Sequence, residues 1–97
     1  MAIYMLHFAC TPTRNSEPGE RWTADLCAIV PSLEEAESTA RELIEARGYH
    51  ADELIAYATV DEHKVAALSQ LEATLYLRAL QAGKQRAVAF SQWHEES

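Results

Sequence analysis

Four side chains able to take part in chemistry fall on three apolar runs: His7 in the first, Asp25 and Cys27 in the second, Tyr57 in the third. If the first two runs pair as an antiparallel hairpin with even positions opposite even, His7, Asp25 and Cys27 share the odd face. His7 then stands opposite Asp25 or, after a two-residue slip, opposite Cys27. Tyr57 occupies an odd position of its own run and is expected to join them. A carboxylate beside an imidazole fixes the tautomer needed for general-base work, and a thiol beside an imidazole makes a reactive thiolate or a pair of metal ligands. Proximity of this kind accompanies any hairpin, however, whereas catalysis also needs a third group and a cavity. The residues alone therefore favour His7 and Asp25 satisfying each other on a half-buried face, with Cys27 acting as a small hydrophobe.

No other pattern in the chain competes. It has no phosphate loop, no glycine-rich dinucleotide turn, no Cys-x-x-Cys and no His-Glu-x-x-His. Its three glycines, Gly19, Gly48 and Gly83, leave little from which to build a phosphate cradle. No cofactor is expected. His50, His63 and His94 lack the short spacing of a local ligand pair, so no metal site is expected either. Trp22 and Trp93 read as core or interface anchors.

Charge narrows the partners. With 15 acidic and 8 basic side chains the net charge is −7. Nucleic-acid binding depends on neutralising phosphates with Lys and Arg, so this balance argues against it and suits a soluble protein or one with a basic protein partner. No apolar run is long enough to cross a bilayer, and the opening residues show neither a charged leader nor a clean cleavage pattern. With two cysteines and no secretion signal, the expected compartment is the cytoplasm.

The elements that must position these residues follow from periodicity. Residues 3–10 are apolar on both faces, as in a strand covered on both sides. Residues 22–30 alternate with a period of two. Ser32 and Glu35 form a capping box, after which Leu33, Ala36, Ala40, Leu43 and Ile44 trace one helical stripe closed by Gly48. Glu34, Glu35, Glu42, Glu45 and Arg41 face outward, with Glu37 placed to pair with Arg41. Residues 52–60 return as a strand running parallel to the second. Asp61 reads as the N-cap of a long helix over residues 62–82. Residues 84–94 are strand or helix, with Val88, Phe90 and Trp93 favouring strand.

The order β-β-α-β-α, with a possible last strand or short helix, gives one α+β domain over residues 1–97. It looks like the ferredoxin-like, or α/β-plait, two-layer sandwich with both helices on one sheet face; that class hosts many functions and assigns no residues. The long helix carries a second apolar sector, Ala66, Ala73, Tyr76, Leu77 and Leu80, beside its core-facing stripe. Either the carboxy-terminal segment covers this sector or a second copy does. From these features the expected protein is a small acidic interaction module, homodimeric and of inhibitor, immunity or adaptor type, without catalytic activity. The alternative is a small-molecule binder or enzyme using the sheet face around His7, Asp25, Cys27 and Tyr57.

Overall fold

The computed structural model describes residues 2–14, 19–61, 63, 67–81 and 85–92. They form β1 (Ala2–Pro12), β2 (Trp22–Val30), α1 (Leu33–Ala46), β3 (Tyr49–Val60), α2 (Gln70–Gln81) and β4 (Arg86–Gln92). The sheet runs β3-β1-β2-β4 with every pair antiparallel. Since β2 and β3 both oppose β1, they share a direction, as expected of a crossover, but β1 lies between them. Within the carboxy-terminal segment, Arg86–Gln92 is a strand and takes the edge beside β2.

Each face of the sheet has its own helix. Leu6, Phe8 and Cys10 of β1, with Ala24, Leu26 and Ala28 of β2 and Val88 of β4, pack against Ala36, Ala40 and Ile44 of α1. The alternate positions Ile3, Met5, Cys27 and Ala87 pack against Leu75 and Ala79 of α2. The structure is thus α+β with an antiparallel sheet, but the two-layer arrangement with both helices on one face is corrected: the sheet is the middle of three layers. The reason lies in β1, whose two faces are both apolar and both require cover.

Local signals explain the element ends. Ser32 caps α1, its Oγ accepting from the Glu35 N–H at 3.3 Å. Gly48 takes the left-handed conformation (φ +85°) just past the helix. Arg41 is exposed, as expected, and its guanidinium reaches the sheet as well: it lies 5.4 Å from the Phe8 ring centroid and donates to the Ala51 carbonyl at 3.3 Å. At the far end of this face Tyr49 stacks on Phe90 at 4.4 Å and meets Trp22 edge-on at 5.8 Å. Tyr49 and Phe90 sit on opposite edge strands, which in a flat sheet would lie about 14 Å apart. The rings therefore close over the short side chains of Cys10 and Ala24 on a coiled sheet.

The second helix begins later than its periodicity suggests. Asp61 Oδ1 accepts from the His63 N–H at 3.0 Å, a local turn and not the cap of a long helix. The true start is a second capping box: Ser69 Oγ accepts from the Glu72 N–H and Glu72 Oε1 from the Ser69 N–H, both at 3.2 Å. Val65, Ala66, Ala82, Gly83, Trp93 and His94 lie outside the described residues.

Ile44 is fully enclosed at the centre of the α1 face, whereas Leu43 only flanks it. Ile44→Ala should therefore cost about 2–5 kcal/mol of stability and Leu43→Ala clearly less. Urea denaturation of the two variants checks this; an unchanged midpoint for Ile44→Ala would remove α1 from the core.

Candidate functional site

On the face that carries α2, the register settles which neighbour His7 meets. His7 pairs with Asp25, and its Nδ1 lies 2.7 Å from Asp25 Oδ1, with the two side chains 37% and 26% exposed. An ionised carboxylate only accepts, so beside one Nδ1 is the donor, and in that tautomer of the neutral ring Nε2 keeps its lone pair. This orients the imidazole as an acceptor or base toward whatever lies beside it.

What lies beside it is a cavity of about 320 Å³. Met5, Ala56 and Ala58 form its sheet wall, Leu71 and Leu75 its helix wall, and His7 with Asp25 its polar side. Ser69 and Glu72 stand at its margin, engaged with each other in the capping box. The volume falls in the range of small-ligand sites, and the lining is the usual one of apolar walls with a few polar groups.

The other two sequence candidates are placed differently. Cys27 is fully buried beneath α2 among Ile3, Met5 and Leu75 and does not line the cavity. Burial pushes its thiol up to about 11, the opposite of what a nucleophile needs. Cys10 lies on the other face and is likewise pushed up to about 11, by burial and then by the nearby Asp52 carboxylate. Both cysteines are free, as their opposite faces require. Tyr57 borders the cavity, but a register shift between His7 and Phe8 leaves Ile55 without a partner on β1 and pairs Tyr57 with Leu6. By strand alternation the tyrosine belongs to the face opposite His7, and it is 54% exposed.

Sequence reasoning missed the helix wall. Leu71 and Leu75 have the spacing of a core-facing stripe, and the Ser69-x-x-Glu72 spacing that starts their helix is the signal that could have placed them at the dyad. Among the described residues no three His, Cys, Asp or Glu side chains converge as a metal site requires, and no helix is long and apolar enough to cross a membrane.

The apolar sector of α2 divides. Tyr76 packs beside the core and Ala73 is half-buried, whereas Leu77 and Leu80 are 56% and 49% exposed. The described part of β4 does not cover them, being hydrogen-bonded to β2. No known protein family, curated protein or solved structure matches the chain.

The buried thiols set an alkaline limit. Below pH 9 they are neutral in both states; between pH 9 and about 11 the unfolded thiols ionise and the folded ones do not, so stability falls as pH rises. Thermal denaturation should show a drop in melting temperature from pH 9 to 11, and Cys27→Ala should show a smaller drop. An equal drop in that variant would mean that the Cys27 thiol is not held neutral.

Proposed function

We propose that the chain binds a compact, largely apolar small molecule carrying a hydrogen-bond donor, with His7 as the acceptor and Asp25 as the residue that orients it. The observation that carries this reading is the 2.7 Å His7–Asp25 bond at the side of an apolar cavity of about 320 Å³. A dyad that merely satisfied itself would need no cavity beside it. Proton abstraction from a weakly acidic group is the chemistry such a dyad supports; binding is the part that the cavity supports directly.

A suitable probe is 2-naphthol, an aromatic body with one hydroxyl, titrated while the methyl resonances of Met5, Ala56 and Ala58 are followed. His7→Gln should weaken binding about tenfold, equivalent to about 1.4 kcal/mol and in the range of one hydrogen bond. Asp25→Asn should weaken it as well, by releasing the tautomer. A purely structural dyad would lower the melting temperature of both variants and leave the titration unchanged, and that result would overturn the reading.

The second reading, a non-catalytic acidic interaction module of inhibitor, immunity or adaptor type, draws on a different surface. Leu77 and Leu80, exposed side by side with Ala73 on the outer face of α2, support a protein contact there, and the net charge of −7 suits a basic partner.

A further inference from the structure

We infer that two copies of the chain join edge to edge through β3, over residues 56–60, as antiparallel strands about a two-fold axis at Ala58. The contact uses the open backbone edge of β3, not the face that walls the cavity, and it holds whatever occupies the cavity.

An edge strand carries a row of backbone donors and acceptors that a second strand can take up, and proteins blunt such edges with charge, bulges or brevity. Most of this sheet's edge is blunted in those ways. β4 has seven residues and begins with Arg86. The first half of β3 carries Asp52 and Glu53, and two register shifts against β1 interrupt it, between His7 and Phe8 and between Ala9 and Cys10. Beyond the second interruption the strand is regular: Ala56, Tyr57, Ala58, Thr59 and Val60 pair in unbroken register with His7, Leu6, Met5, Tyr4 and Ile3. These five residues carry no charge, no proline and no glycine, and the first four are exposed. β1 is the one strand that pairs with them among the described residues.

The stretch is complementary to itself. A two-fold axis at Ala58 sets Ala56 opposite Val60 and Tyr57 opposite Thr59, using the whole regular stretch of both copies and keeping like faces together. Asp61 then meets Ile55, not an acidic residue. Shifting the axis to Tyr57 would place Glu53 opposite Asp61, two carboxylates across a strand pair, and shifting it to Ala56 would bring the bulged Ile55 into the ladder. The chosen register also lays Val60 of the second copy beside Ala56, which lines the cavity. A second copy therefore extends the cavity's open sheet-edge wall.

Light scattering on the full chain at about 50 μM should find a dimer. Tyr57→Lys with Thr59→Lys, which puts lysine opposite lysine twice, should give a folded monomer by circular dichroism. Tyr57→Glu with Thr59→Lys should restore the dimer, because the same register then pairs opposite charges. Leu77→Glu with Leu80→Glu should leave it intact. Amide exchange, as a measurement that needs no variant, should show slowed exchange in residues 56–60 as protein concentration rises. A wild-type monomer overturns the proposal. So does a dimer lost only in the α2 variant, or a charge swap that stays monomeric while folded.

Discussion

The structure depends on one constraint: β1 is hydrogen-bonded on both sides and apolar on both faces. A strand in that position cannot leave either face to water, so each must receive a cover, and the chain supplies two helices of unequal reach. α1 lies over the Leu6–Phe8–Cys10 side and touches every strand of the sheet. α2 covers the Ile3–Met5 side, over β2 and β4, and stops short of His7. The odd positions of β1 thus pass along one strand from a sealed core to a solvated end. His7 falls at the boundary, which is where a polar pair is compatible with both halves.

That boundary explains which parts of the site were legible. Alternation alone puts His7, Asp25 and Cys27 on one face, because hairpin parity fixes which side chains share it, while the choice of Asp25 over Cys27 as the neighbour of His7 rests on the register. The Ser32–Glu35 box and the stripe ending at Ile44 were legible for the same kind of reason: a local pattern with a local cause. The face chosen by α2 was not. A helical stripe gives the width of the surface to be buried but not the side of the sheet that will bury it; that is decided by β1's second apolar face, several elements away. Tyr57 was misplaced because odd-even counting assumes an unbroken ladder, and one unpaired residue, Ile55, reverses the count. Cys27 was correctly assigned to the odd face, yet sharing a face with His7 did not put it in the same space, since Leu75 and Ala79 seal the sheet over the cysteine and leave the histidine open.

The late start of α2 connects the cavity to the fold. A helix running from residue 62, as Asp61 in the role of N-cap predicts, would extend about 12 Å beyond the end that stands beside His7 and Asp25. Instead the Ser69–Glu72 box begins the helix at Gln70, so that Leu71 becomes a wall beside the dyad rather than a lid over it. A capping interaction worth on the order of 1 kcal/mol thus decides whether a histidine is sealed or faces a cavity of ligand size. The same geometry governs the sheet edge: because α2 lies over β2 and β4, residues 56–59 of β3 stay exposed, and the strand that walls the cavity is also the one left with an open ladder.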